Sequence, residues 1–287
     1  MKRWRAAAIP YLLILPGGLW LVIFFAIPVI VLISLSTQQG NIVDGFSQTF
    51  HFGNYATAWD NYHDQFIRSL LYGGIATILC IALGYPVAYW IAFRGGARKS
   101  TYLFLLLLPF FVSFVLRTVS WQYFLSDNGI LLSPLKSAGI LPQNFRILAT
   151  GTAVVGGLTY NYLPFMVLPI YVALERIDPR LVEAAQDLYA TRAAAFRRVV
   201  LPLSLPGLFA GVLLTFVPVA ADYVNAAILG GTGNTMIGNI IQDEFLTVQD
   251  YPTGAALSFM LMAILLIGMF GYARVLGTDE VLEVAAR

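Results

Sequence analysis

Charge is what this sequence has least of. Asp, Glu, Lys and Arg make up 11% of its 287 residues, against about a quarter in soluble domains. Cysteine is nearly absent too: Cys80 stands alone in an apolar run, which excludes an intrachain disulfide and leaves a small core residue as its expected role. The two histidines, His51 and His63, have no cysteine or further ligand at metal-site spacing and read as surface residues. Paired acids and bases for catalysis are missing, as are low-complexity tracts, strand-rich regions and a soluble domain. Gly95-Gly96-Ala97-Arg98-Lys99-Ser100 superficially resembles a phosphate loop, but Arg98 stands where Gly must precede the Lys, and no strand leads into it. The chain therefore holds no nucleotide of its own.

Apolar residues fill the space that charge leaves: 59% of the chain, with a mean hydropathy of +0.76. Six runs are near or above the ~20 residues a helix needs to cross a bilayer. They cover Ala6 to Leu35 and roughly Phe66–Phe93, Tyr102–Leu125, Ile147–Ala173, Leu203–Leu229 and Thr253–Ala273. The first run is too long for a signal-peptide core, even with Lys2, Arg3 and Arg5 ahead of it. Prolines within spans (Pro86, Pro109, Pro164, Pro169, Pro218) are expected to kink them. Lys and Arg concentrate in the termini and alternate loops, with Arg94, Arg98 and Lys99 in one and Arg176, Arg180, Arg192, Arg197 and Arg198 in another. The positive-inside rule places both termini and those loops in the cytoplasm. The expected architecture is all-α, a single transmembrane domain over 1–287 with its core at about 66–273.

The longest polar interruption runs from Asp178 to Gly207 and is written as a helix. Asp178 can cap it, and Pro179 suits its first turn. Leu181, Ala184, Ala185 and Leu188 recur at helical spacing, away from Glu183, Gln186 and Asp187. A second short helix from Arg192 to Val200 should end where Pro202 and Pro206 interrupt it. Physics leaves two readings open, a docking element and an ordinary solvated loop helix.

Glu183-Ala184-Ala185, followed at the right distance by Val199-Val200-Leu201-Pro202, resembles the EAA loop of type I ABC importer permeases. Tyr189 stands where that pattern has Gly; a positive-φ bend there costs Tyr more than Gly. The resemblance implies that the loop over 174–202 couples to a cytoplasmic ATPase through Glu183, Ala184, Ala185, Asp187, Tyr189, Leu201 and Pro202. Gly230-Gly231, Met236-Ile237-Gly238-Asn239, Gln242 through Phe245, Tyr251-Pro252 and Gly254-Ala255-Ala256 resemble the spermidine/putrescine importer branch. So does Phe114 to Thr118 with Trp121 and then Asp127-Asn128-Gly129-Ile130.

An ionisable residue inside a span is a functional candidate because it is costly there. Asp222, beside Tyr223 and Asn225, and Arg117, four residues before Trp121, qualify. Asp222 reads equally as a pathway contact or a structural pair, Arg117 more as a buried structural contact, with Asp222 as one conceivable partner. Trp121, Tyr160, Asn161, Tyr162 and Tyr223 fall at depths suited to a cation pathway, although Trp and Tyr also crowd membrane interfaces.

The resemblance implies half of a translocation pathway in a bacterial inner membrane, importing a small solute, in this branch a polyamine. Its expected partners are a second homologous permease, two ABC ATPases that bind ATP and Mg, an external solute-binding protein and membrane lipid, with no nucleic acid. Import of an opine or amino-acid-like cation is the nearest alternative; an ion-coupled secondary transporter or channel is the next, though it usually shows internal repeats or more buried charge.

Overall fold

The computed structural model describes residues 14–275; Lys2, Arg3, Arg5 and Arg287, part of the charge argument, lie outside them. Among the described residues five helices are long and apolar enough to cross a membrane, or six when one bent pair counts as a single span. The chain falls into two compact units, one ending at His63 and including Ile241–Ala263, the other comprising Asp64–Ile240 and the residues from Ile264 onward.

In the first unit, α1 (Ile14–Ser36) has no buried residue across its apolar window. An apolar helix bare on every side is stable where lipid or another chain takes the place of water. A hairpin follows, β1 (Gln38–Asn41) against β2 (Gly45–Gln48). Its turn is closed by the Asn41 side-chain oxygen, which accepts from the backbone N–H groups of Val43 and Asp44 at 2.9 and 2.8 Å. Asp250 caps α11 (Tyr251–Val275), accepting from Thr253 N and Thr253 Oγ1. Buried Glu244 accepts from Tyr62 Oη at 2.6 Å.

The second unit is built on α6 (Gly151–Glu175) and α8 (Arg192–Ala220). Val154, Leu158, Met166, Val167, Ile170 and Leu174 of α6 are almost wholly enclosed. The two helices approach closely at Gly207, where an added methyl group would run into Ala173 Cβ and lie 2.5 Å from the Pro169 carbonyl oxygen. Cys80 is buried among apolar neighbours of α2 (Gly53–Arg94), as its setting in the sequence implies.

The structure differs from the expected outline in four places. α2 begins at Gly53 and is 42 residues long, so it runs on N-terminal to the expected span start at Phe66, farther than a bilayer crossing needs. Pro202 and Pro206 do not end the helix that starts at Arg192. The turn widens to a π-type turn over Phe196–Val200 and helix continues from Leu201, so the bond that Pro202 cannot donate falls at an already loosened turn. The third span is not straight: the segment Gly96–Phe111, containing α3 (Lys99–Leu107), meets α4 (Phe114–Leu125) at 87°. Pro109 opens the tight turn Leu108–Phe111, and Val112 and Ser113 are extended. The fifth span likewise stops at Ala220, and a short helix α9 (Val224–Leu229) begins after a break at 221–223; α5 (Leu132–Ser137) and α10 (Ile237–Asp243) are short helices of the connections.

Candidate functional site

The helix after Asp178 forms as its caps dictate. In α7 (Pro179–Asp187) Asp178 Oδ1 accepts from Arg180 N at 2.9 Å, with Pro179 in the first turn. Its end is a Schellman motif: Ala190 N donates to Ala185 O and Tyr189 N to Gln186 O, at 3.0 and 2.9 Å. That motif requires a left-handed residue at position 189, and Tyr189 adopts φ +61°, at a cost of about 1 kcal/mol. The bend of the EAA pattern is thus kept without its Gly. Thr191 Oγ1 then caps α8 by accepting from Ala194 N.

The helix faces opposite to a simple reading of its amphipathicity. Val182 packs against the core of α6 and α8, whereas Leu181, Leu188 and Tyr189 are exposed, Tyr189 by 98%. Glu183, Ala184 and Asp187 are exposed as well, and Ala185 is half-buried. The apolar stripe looks outward, a surface suited to another protein rather than to its own core.

The intramembrane candidates separate into two groups. The first is a buried polar network around the break at 221–223. Asp222 is 5% exposed; its Oδ1 accepts from Asn225 N at 2.7 Å and its Oδ2 from Asn225 Nδ2 and Tyr162 Oη, both at 3.2 Å. Asn161 Nδ2 donates to Asn225 Oδ1 at 3.0 Å and to Thr118 Oγ1 at 3.1 Å. Asp222 therefore caps α9 and ties it to α6, and α6 to α4. Tyr223 turns its exposed ring away, while its carbonyl oxygen accepts from Asn239 Nδ2 at 2.7 Å. Asn239 Oδ1 in turn accepts from Met236 N at 3.0 Å, so the Met236–Asn239 stretch staples the chain after the break. Thr118 and Asn225 were not among the sequence candidates. Uncharged polar residues within apolar spans were the signal that could have found them.

The second group surrounds a cavity of about 510 Å³ lined by Pro109, Arg117, Ser120, Trp121, Leu131 and Tyr160, among others. The rings of Trp121 and Tyr160 meet edge to face with centroids 5.3 Å apart. The Arg117 guanidinium carbon lies 4.0 Å above the ring of Phe110, a stacking geometry suited to Arg. Arg117 is 8% exposed, and its Nε and Nη1 have no acceptor. Among the described residues no ion pair joins Arg117 to Asp222, whose oxygens are already occupied.

A cluster of three charged side chains lies outside the spans. Asp127 accepts from Lys136 Nζ at 2.8 Å and lies 3.0 Å from Arg146 Nε. The hydrogen bond from Lys136, opposed only partly by desolvation and aided by the charges of Lys136 and Arg146, holds the Asp127 carboxyl below the usual carboxylate range.

Comparison with known proteins identifies the family. Residues 81–276 match the family described as binding-protein-dependent transport system inner membrane component. The spermidine/putrescine transport system permease protein PotB of Haemophilus influenzae is 38% identical over 258 residues, 89% of this chain and 90% of that protein. PotB of Escherichia coli K12 is 35% identical over 268 residues, 92% of this chain and 98% of that one. Among solved structures, a chain of a bacterial ABC transporter that imports the acidic polysaccharide alginate superimposes with a TM-score of 0.71 at 18% identity, covering 96% of this chain and 98% of that chain. A chain of the MetNI methionine ABC transporter gives 0.58 at 18% identity, covering 74% and 93%. These structures share the type I importer permease fold. The chain belongs to the inner membrane components of binding-protein-dependent transport systems, the permeases of ABC importers.

Proposed function

We propose that this permease carries a polyamine of the spermidine/putrescine type, as one half of an ATP-driven import pathway. The observation that carries the coupling is α7: capped, closed by a left-handed Tyr189, and showing its apolar stripe and Glu183-Ala184 to the outside. Relatives that bear a spermidine/putrescine name at 35–38% identity support the solute. A second structure of a bacterial alginate ABC transporter, solved in complex with an alginate pentasaccharide-bound periplasmic protein, supports the kind of partner.

In this reading two cytoplasmic ATPases bind ATP and Mg and clasp α7, and a second permease completes the pathway. Val182 and Val200 share one packed cluster with Ile170 and Leu174, so displacement of α7 is passed to α6 and α8 as a rigid movement. An external binding protein delivers the solute. Tyr162 and Tyr223 offer ring faces to its ammonium groups, whereas Trp121 and Tyr160 line the cavity of the cationic Arg117. Asp222 and Asn225 shape the wall, since their side chains are engaged with each other and with the amide nitrogen of Asn161.

Reconstituted vesicles containing this chain, a second permease and the ATPases should accumulate labelled spermidine or putrescine when binding protein and ATP are supplied. Uptake indifferent to ATP would sink the coupling, and uptake confined to an opine or amino acid would sink the solute. Orientation has its own check. In a Cys80-free background, cysteines at exposed Ser47 and Ser137 should label from the periplasmic side and one at exposed Ala193 should not. Outside labelling at Ala193 would invert the topology.

A further inference from the structure

The cavity beside α4 contains a contradiction that one chain does not resolve. Arg117 is more than nine-tenths buried, it stacks on Phe110, and two of its nitrogens point to no acceptor. A guanidinium stays charged at any physiological pH, and a desolvated cation without an anion is strongly unfavourable. Stacking on one ring offsets part of that and bonds none of the N–H groups. The acids of the same unit that lie near in sequence or network are committed elsewhere: Asp222 to Asn225 and Tyr162, Asp127 to Lys136 and Arg146. Asn161 Oδ1 is also buried without a partner, but a neutral amide oxygen does not balance a charge; the counter-charge therefore comes from outside the described residues.

Depth narrows the source. Tyr160, on the cavity wall, lies nine residues after Gly151 in a 25-residue helix, or about 14 Å along its axis. That helix is about 37 Å long against a hydrocarbon layer of about 30 Å, so the cavity lies roughly 10 Å inside the layer. Lipid phosphates stand outside it. A polyamine brings more positive charge and is repelled. What reaches this depth with a carboxylate is another transmembrane helix, and the cavity is lined by Val112, Phe124 and Leu131, all exposed and apolar or aromatic, as a helix contact within a membrane requires.

We propose that the Arg117 cavity is a docking site for an acidic side chain on a transmembrane helix of the second permease subunit. The inference rests on the reading that this chain pairs with such a subunit. Charge complementarity selects the occupant: a carboxylate accepts two parallel N–H bonds from the guanidinium fork, and the apolar surround makes that pair strong and specific. A copy of this chain fits poorly, because Asp222 is saturated within its own network. The counter-charge belongs to a different, homologous subunit.

The test uses the assembled importer. Arg117→Gln should cut recovery of the second permease with this chain at least tenfold, and Arg117→Lys should cut it less, because the ammonium keeps the charge but loses the fork. Since Arg117→Gln alone could act by misfolding, the deciding arm is charge exchange. Arg117→Glu is combined in turn with each Asp or Glu in the second permease's spans changed to Arg, and one combination should restore recovery. Three results would overturn the proposal. Recovery could stay intact in Arg117→Gln while uptake falls, which assigns the group to the solute. Recovery could follow the anionic-lipid content of the membrane, or no exchanged pair could restore it. Failure of the wild-type chain to recover any second permease would instead remove the pairing itself, and the proposal with it.

Discussion

Asn225 donates twice to Asp222, through its backbone N–H at 2.7 Å and its side-chain amide at 3.2 Å. The same Asn225 accepts from Asn161 of the neighbouring span. One carboxylate thus starts α9 and fixes it to α6, at a place where the chain has left helical geometry. Replacing Asp222 with Asn keeps one acceptor but turns an amide toward the donors of Asn225 or Tyr162. The expected cost is about 1–3 kcal/mol for the stranded buried donor, read as a lower unfolding temperature and as lower complex yield and uptake together. Adding Arg117→Gln should not restore the yield, because the two side chains are not paired. Normal yield with lost uptake would instead make Asp222 a direct solute contact.

The contact at Gly207 makes a second prediction. Gly207→Ala places a methyl group against Ala173 and the Pro169 carbonyl, neither of which is a flexible tip. Overpacking of this kind costs about 1–3 kcal/mol, and α6 and α8 should separate enough to slow cross-linking between cysteines placed on them. Gly156→Ala is the control: nothing lies within 4 Å of an added methyl group there, so it should be neutral or gain up to about 1 kcal/mol from helix propensity.

At the end of α7, backbone strain and coupling can be separated. Tyr189→Gly removes the left-handed penalty and loses no packing, since the ring is 98% exposed; stability should hold or rise by about 1 kcal/mol. Tyr189→Val should destabilise the turn, because a β-branched residue tolerates φ +61° poorly. Ala185→Asp should leave insertion intact and weaken ATPase association. Association unchanged in both Ala185→Asp and Glu183→Lys would remove α7 from the coupling surface.

The cluster at Asp127 predicts a pH dependence of definite sign. Its carboxyl titrates below the usual range when folded, so the stabilisation it provides is complete above the unfolded value, about 3.9, and is lost as pH falls through the folded value. Protease resistance of the loop between α4 and α6 should therefore be flat from neutral pH to about 5 and decline only in stronger acid. Asp127→Asn should show the loosened pattern already at neutral pH, because Lys136, with a side chain only 8% exposed, loses its counter-ion. Equal resistance of wild type and variant at pH 7 would mean that the cluster holds nothing in place.

Local chemistry was enough for much of this protein. Span number follows from apolar run length, because a bilayer imposes one length on every crossing helix. The start of α7 follows from Asp178 and Pro179, because an N-terminal cap is decided within a few residues; that Tyr189 takes the left-handed bend usually left to Gly is decided only by the structure. Tertiary structure alone decided the rest. Hydropathy cannot distinguish a straight span from one bent by 87°, since both halves are equally apolar. Proline composition cannot say that the helix from Arg192 runs on past Pro202, because a widened turn absorbs the missing bond. Nor can it say which side of α7 faces water, because Val182 and Leu181 are both apolar and only the position of the core selects between them. The two intramembrane charges illustrate the limit best. Their cost was legible in the sequence, but not their partners. Asp222 binds Asn225 and Tyr162 while Arg117 waits beside Phe110, because partnership depends on which helix faces meet, and that is settled only when the helices pack.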